Sequence, residues 1–272
     1  MSAVADDVIL RVEDLTIRYE KGRSIWGTPR YGQVVHGVSF SVKRGETFGL
    51  VGESGSGKST IGKAVLRQIP VLSGSITFEG QTITDWPEGK TPVTYRRAVQ
   101  VVFQNPRLSL NARMLARDTV GEAVRFHLGL QGRELDERVA RLFDDVGLPR
   151  HLGDRYPDEL SGGQQQRVAI ARALACDPRL VICDEAVSAL DVSTQAQVIG
   201  LLRRLQEERG LSYVFISHDL GVVRNLCHHV GVLQHGRFTD LGSVESVFER
   251  PRDDYTRALL DAIPKFPGKV AA

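Results

Sequence analysis

Gly52-Glu53-Ser54-Gly55-Ser56-Gly57-Lys58-Ser59 sets glycines, a lysine and a hydroxyl at the spacing G-x-x-x-x-G-K-[ST]. Each residue type has a task in holding a polyphosphate. The glycines let the backbone wrap closely enough for several N–H groups to face phosphate oxygens. A helix starting at Lys58 adds the positive end of its dipole. The Lys58 ammonium suits the β- and γ-phosphates. The Ser59 hydroxyl is a hard oxygen donor for Mg²⁺, and Thr60 completes the run expected to line a nucleotide.

Two further clusters carry chemistry. Asp184-Glu185 ends the apolar run Leu180-Val181-Ile182-Cys183. At the carboxyl end of a parallel strand, Asp184 is suited to hold Mg²⁺ through water. Glu185 is suited to polarise the water that attacks the γ-phosphorus. The plain alternative is a strand end with two solvated acids, and the nearby complete phosphate loop weighs against it. Leu160-Ser161-Gly162-Gly163-Gln164-Gln165-Gln166-Arg167 joins a hydroxyl and two glycines to a helix start. It reads either as a second phosphate-receptive helix terminus or as a serine N-cap on a Gln-rich helix.

The elements that must position these groups follow from hydropathy. Val8–Tyr19 has strand character, and Glu20–Gln33, with Gly22, Gly27, Pro29 and Gly32, reads as loop. Val34–Val42 and Thr47–Val51 read as strands, the second leading into the phosphate loop. The helix from Lys58 is expected to run to Ile69, stopped by Pro70. Gly74–Phe78 and Val99–Phe103 are strand-like. Leu135, Val139, Leu142, Phe143 and Val146 share one helical face, ended at Gly147. Gln164–Ala175 reads as a helix, and so does the segment carrying Val198, Leu201, Leu202 and Leu205, stopped at Gly210. Leu180–Cys183 and Tyr213–Ile216 read as buried strands. Helices alternating with short apolar strands predict an α/β fold with a mostly parallel sheet covered on both faces.

The chain has 272 residues, 42% hydrophobic and 25% charged, enough for one large domain or two subdomains sharing a core. Lys plus Arg number 35 against 33 Asp plus Glu, a formal charge of +2. That balance points away from an electrostatic nucleic-acid binder. No apolar run reaches the ~18–20 residues that cross a bilayer, so a membrane role implies docking on another protein. Cys176, Cys183 and Cys227 are scattered and odd in number, which argues against a disulfide framework or a zinc site and fits a reducing cytoplasm.

The order of motifs resembles that of an ABC-transporter ATPase, whose signature Leu160–Gln164 matches. Gln104 in Phe-Gln-Asn-Pro resembles that family's Q-loop, Ser188-Ala189-Leu190-Asp191 its D-loop, and His218 in Ile-Ser-His-Asp its switch histidine. The resemblance runs from about Val8 to Pro264. It implies a P-loop NTPase core, an N-terminal antiparallel β subdomain and an inserted helical signature subdomain at about 105–165. The ATPase domain is expected over 8–258. It further implies ATP with Mg²⁺, bound head-to-tail between the phosphate loop of one subunit and Ser161–Gln164 of another. Gln104 would contact Mg²⁺ and the attacking water, His218 the γ-phosphate, and Asp191 would link the two sites. Tyr19 is the positional match for the adenine-stacking aromatic, with Trp26 and Tyr31 competing.

Val51-Gly-Glu-Ser-Gly-Ser-Gly57, Val102–Asn111 and Val187–Ser193 resemble the oligopeptide, dipeptide and nickel importer branch, as does the C-terminal segment 247–265. Where that branch has His-Pro before Tyr-Thr, this chain has Asp253-Asp254; where Pro is common after the base, it has Ala186. No cysteine follows Cys227, so no iron–sulfur cluster is expected, and 266–272 reads as a flexible tail. The implied role is the ATPase subunit of a peptide importer at the cytoplasmic face of the cell membrane. Its expected partners are permease subunits, a second and by preference different ATPase, and an extracytoplasmic solute-binding protein. Gln104–Arg113, with Arg107 and Leu110, is expected to face the permease. A nickel importer ATPase and an accessory ATPase of phosphonate breakdown remain the alternatives.

Overall fold

The computed structural model describes residues 7–23 and 29–262. Two sheets organise them. β1 (Val8–Arg23), β2 (Pro29–Lys43), β4 (Ser73–Phe78) and β5 (Gln81–Thr82) form an antiparallel sheet in the order β2-β1-β4-β5. β3 (Thr47–Val51), β6 (Val99–Phe103), β7 (Leu180–Asp184), β8 (Ser212–Ser217), β9 (His229–Gln234) and β10 (Arg237–Ser243) form a second sheet in the order β10-β9-β3-β8-β7-β6. Every pairing in it is parallel except β9 with β10. Ten α-helices accompany the sheets among the described residues: α1 (Lys58–Val65), α2 (Val93–Ala98), α3 (Pro106–Ser109), α4 (Ala116–Leu128), α5 (Gly132–Asp145), α6 (Gly162–Leu174), α7 (Val192–Arg209), α8 (Leu220–Leu226), α9 (Val244–Glu249) and α10 (Asp254–Asp261).

The parallel strands are apolar along their length because both faces are covered. Their two side-chain sets go to two different cores. Val181, Cys183, Tyr213, Phe215, Val230 and Val232 pack with α6, α7 and α8. Leu180, Ile182, Val214, Ile216, Phe48 and Leu50 pack with α1 and the antiparallel sheet. This alternation fixes register, since a one-residue slip would exchange the two sets. Truncating a fully buried member such as Leu50 to Ala costs about 2–5 kcal/mol.

Between β6 and β7 the chain inserts α3 to α6. Val120 and Val124 of α4 meet Leu135, Val139, Leu142 and Phe143 of α5 in the first of those cores. α5 ends as the sequence predicts. Gly147 takes φ 65°, its N–H donates to Asp144 O, and Leu148 N–H donates to Phe143 O. These two bonds close a Schellman motif that a Cβ would strain.

Two expectations need correction. The Glu20–Gln33 segment is not simply a loop: β1 and β2 continue pairing as far as Arg23 and Pro29, with a register shift between Glu20 and Gly22. An antiparallel ribbon satisfies its own backbone groups, so glycine here marks a bulge and not the end of the strand. The helix after the phosphate loop stops at Val65, short of Ile69. Arg67 turns into the left-handed region at φ 58°, and its guanidinium donates to the carbonyls of Trp86 (2.8 Å) and Pro87 (3.1 Å). That anchorage, rather than Pro70, ends the helix. Residues 266–272 and Ile263-Pro264 lie outside the described residues. No helix among the described residues is long and apolar enough to cross a membrane. Cys176, Cys183 and Cys227 are buried free thiols.

Candidate functional site

The parallel strands deliver the predicted groups to one edge of the sheet. β6 ends at Phe103 and is followed by Gln104; β7 ends at Asp184 and is followed by Glu185; β8 is followed by His218; β3 is followed by the phosphate loop. Phe103 pairs with Asp184, Asp184 with Ile216, and Val51 with Ser217. All four therefore sit at the carboxyl ends of neighbouring strands, where open α/β sheets collect ligands.

The phosphate loop is held open by its glycines. Gly52 has φ 142°, and a Cβ there would lie 2.1 Å from Leu233 O. Gly57 has φ 111° and approaches the Val34 carbonyl of β2. Gly57 is the N-cap of α1 and offers no side-chain cap, so the first N–H groups of that helix keep their donors free. Lys58 is buried, with Nζ donating to Gly52 O and Glu53 O at 2.7 Å each. An ammonium has three donors, so one remains for an anion. Burial pushes the Lys58 pKa down, and nearby Glu185, Asp184 and Glu53 pull it up. The Ser56 hydroxyl is buried and without a hydrogen-bond partner. An uncapped helix terminus, a spare ammonium donor and an orphaned hydroxyl together fit a polyphosphate.

Ser59 Oγ donates to Asp184 Oδ1 at 2.8 Å, uniting two hard oxygens suited to a divalent cation. Burial raises the Asp184 pKa, against the Ser59 hydrogen bond. Glu185 takes φ 49°, a left-handed conformation that is rare for glutamate. It is held there by Glu185 N–H to Ile216 O at 2.9 Å and by Ser188, whose hydroxyl and N–H both donate to Glu185 O. The turned backbone carries the carboxylate to Gln104, whose Nε2 donates to Oε2 at 3.0 Å, and to His218, whose Nδ1 lies 3.4 Å from the same oxygen. A carboxylate oriented by an amide and an imidazole, beside a phosphate-receptive loop, can accept a proton from water.

The third cluster stands apart. Ser161 N-caps α6 in a closed capping box: Gln164 N–H donates to Ser161 Oγ at 3.3 Å, and Ser161 N–H to Gln164 Oε1 at 2.9 Å. Ser161 and Gly162 are exposed, Gly163 and Gln164 partly so. Asp191 caps α7, receiving Thr194 N–H, Thr194 Oγ1 and Ser193 Oγ; those bonds hold its carboxyl well below the usual range. Within one chain neither Ser161 nor Asp191 is bonded to the phosphate loop.

Tyr19 is half-buried on β1 opposite Gly32, on the ribbon end whose Val34 approaches Gly57. Trp26 lies outside the described residues, and the side chain of Tyr31 does too. Arg107 is exposed and paired with Asp158 at 3.0 Å. Leu110 is not on the surface: it is 5% exposed and packs in the core, whereas Leu108 is 86% exposed. The four-residue helix α3 turns Leu108 out and Leu110 in, an alternation that the loop-like sequence does not reveal. One residue at the site escapes motif reading altogether. The hydroxyl of Tyr255 accepts from Glu53 N–H at 3.0 Å.

The family model for the ABC transporter matches residues 35–188. Across 94% of its length the chain is 42% identical to the oligopeptide transport ATP-binding protein OppF of Streptococcus mutans, of which the match covers 82%. It is 46% identical, across 97% of its length, to the oligopeptide transport ATP-binding protein AppF of Bacillus subtilis, covering 80% of that protein. It is also 46% identical to the glutathione import ATP-binding protein GsiA of Escherichia coli O157:H7, across 97% of this chain and 42% of that longer one. Among solved structures, the dimeric post-hydrolysis state of the ATP-binding cassette MJ0796 bound to ADP and Pi matches with a TM-score of 0.76 at 28% identity. That match covers 86% of this chain and 98% of the other. With more than half of its residues inside the family model and close relatives along nearly its whole length, the chain belongs to the ABC transporter family, as one of its ATP-hydrolysing cassettes.

Proposed function

We propose that this chain binds and hydrolyses ATP to power a peptide importer, docked through permease subunits on the cytoplasmic face of the cell membrane. The observation that carries the catalytic reading is the Glu185 carboxylate, held 3.0 Å from Gln104 and 3.4 Å from His218 beside the Ser59–Asp184 pair. Lys58 and the free N–H groups of α1 bind the phosphates. Ser59, Asp184 and Gln104 are the residues that would hold Mg²⁺, which when bound neutralises charge on the β- and γ-phosphates. Glu185 takes the proton of the attacking water, Gln104 orients that water, and His218 contacts the γ-phosphate. Tyr19 stacks on the adenine.

A second ATPase supplies Ser161–Gln164 against that phosphate, and Asp191 lies at the joint between the two sites. A different ATPase is the favoured partner, with a solute-binding protein completing the importer. The permease sits on the segment 104–113, where Leu108 and Arg107 are exposed. Peptide as cargo rests on the two oligopeptide relatives, at 42% and 46% identity.

The test is uptake in cells lacking this chain. Restoring the chain should restore import of radiolabelled di- and oligopeptides, and Glu185→Gln should not. Restored nickel uptake with no change in peptide uptake would overturn the cargo assignment. Arg107→Ala should lower peptide uptake more than basal ATP hydrolysis; equal loss of both would misplace the docking surface.

A further inference from the structure

The C-terminal helix reaches back to the phosphate loop across 202 residues of sequence. Its anchorage can be followed residue by residue. Asp240 on β10 is 4% exposed, and its two oxygens accept Arg252 N–H and Asp253 N–H at 3.1 Å each. Asp253 in turn caps α10, with Oδ1 accepting Tyr255 N–H at 2.8 Å. Thr256, 1% exposed, faces Thr239 of β10 at 3.4 Å between hydroxyl oxygens. The first turn of α10 is thus fixed to β10, the antiparallel edge strand of the six-stranded sheet, and Tyr255 projects from that turn.

Its hydroxyl accepts the N–H of Glu53. The other side of the same residue, the Glu53 carbonyl, accepts both Lys58 Nζ at 2.7 Å and Ser56 N–H at 3.2 Å. Glu53 is therefore gripped at both ends, from outside by Tyr255 and from inside by the phosphate-binding lysine. Its side chain is exposed, and no other side chain among the described residues bonds its N–H. With Glu53 O and Gly52 O fixed, two of the three Lys58 donors are committed, and the direction of the third follows.

We infer that Tyr255 is a positioning residue for ATP binding: its hydroxyl holds the Gly52–Glu53 peptide by the Glu53 N–H, so that the carbonyl of that same peptide, Gly52 O, aims the Lys58 ammonium. The inference rests on the ATPase reading above. It gives the Asp253-Asp254 pair a task, since Asp253 caps the helix that presents Tyr255 and Asp254 occupies its first turn, where an acid complements the dipole. ATP affinity is then tuned from the C-terminal segment without any contact between that segment and the nucleotide.

The test compares Tyr255→Phe with Tyr255→Ala in the full chain. Phenylalanine keeps the ring and deletes only the acceptor. Loss of one such hydrogen bond predicts about a three- to tenfold rise in KM and Kd for ATP, with kcat falling by less than KM rises. In the nucleotide-free chain, amide hydrogen exchange at Glu53 should quicken in Tyr255→Phe, while exchange within α10 stays at the wild-type rate. Tyr255→Ala should show the same change at Glu53 and a lower melting temperature as well. If Tyr255→Phe matches wild type in both ATP affinity and Glu53 exchange, the residue only packs its helix and the inference is overturned. Lys58→Ala serves as the control that separates the two readings. If it loses ATP binding while Tyr255→Phe is unchanged, the ATPase reading survives without this one; if Lys58→Ala still binds ATP normally, the reading beneath it fails.

Discussion

Two helix N-termini in this molecule are built from similar residues and left in opposite states. α1 begins at Gly57 with no side-chain cap, with a buried lysine and a buried unpartnered hydroxyl beside it. α6 begins at Ser161 with its capping box closed, Gly162 exposed and Gly163 packed close to Thr194. The first is an anion site in all but the anion. The second commits its serine hydroxyl to its own backbone, and among the described residues no cation is bonded to it. A helix dipole alone is a weak attraction at an exposed terminus, so the two ends are unequal within one chain. On the proposed function, ATP binding belongs to the α1 end, and the α6 end acts only when something carries a phosphate to it. The proposed carrier is a second cassette, and the solved structure that matches with a TM-score of 0.76 is of a dimer.

Disabling each end separately should have the largest effect. Lys58→Ala should abolish ATP binding, whereas Ser161→Arg should keep binding and lose hydrolysis, each cutting turnover by roughly 10²- to 10³-fold. Mixing the two variants, with permease present, should restore turnover, because mixed dimers contain one intact composite site. Where the natural partner is a different ATPase, its own phosphate-loop lysine takes the place of Lys58→Ala in the mixture. A mixture as inactive as its parts would mean that the α6 end does not serve a partner's phosphate.

A smaller effect sharpens the account of the α1 end. Burial raises the folded-state pKa of Asp184, so its charge opposes folding. The stabilisation of its protonated form is full below the unfolded carboxyl value and lost as pH rises through the folded one. Asp184→Asn keeps an acceptor for Ser59 and removes that cost. Without nucleotide it should raise the melting temperature near pH 7 by on the order of 1–3 °C, with the gain vanishing near pH 4, while hydrolysis is lost. A lower melting temperature near pH 7 would show the charge to be stabilising.

An effect of similar size concerns the N-terminus of α7, which Asp191 caps. The Asp191 carboxyl is held low by Ser193 and Thr194, so its contribution is present above the unfolded value and lost only as pH falls through the folded one. Asp191→Ala should lower the melting temperature by a few degrees at neutral pH, and the gap should close in strong acid. A gap that persists there would assign the loss to something other than the carboxylate cap.

The α1 end was legible in the sequence because its chemistry is local. Gly52 to Ser59 is one uninterrupted run, with an apolar strand before it and a helix after it. Asp184-Glu185 was legible for a similar reason, as acids at the end of an apolar strand. The sharing of one Glu185 oxygen by Gln104 and His218 was not, because it depends on β6, β7 and β8 being neighbours, and strand order is set by the crossovers. The β9–β10 hairpin turns at His235-Gly236, with φ 46° and 76°. It escaped reading because histidine stands where asparagine or aspartate normally signals such a turn. Leu110 was misplaced because a single short helical turn decides which of two nearby leucines meets the core. Tyr255 lies in the C-terminal segment that resembles the importer branch, yet nothing near it in the sequence points to a phosphate loop 202 residues away.

The proposed mechanism stands on Glu185 as the base for ATP hydrolysis. The most direct measurement pairs ATP binding with single-turnover hydrolysis in Glu185→Gln. Glutamine keeps the size and the contacts with Gln104 and His218 but cannot accept the proton. Mg-ATP affinity should stay within about threefold of wild type and hydrolysis should slow by at least ~100-fold, with an ATP-held dimer accumulating. Hydrolysis at a near-normal rate by the purified variant would contradict that mechanism.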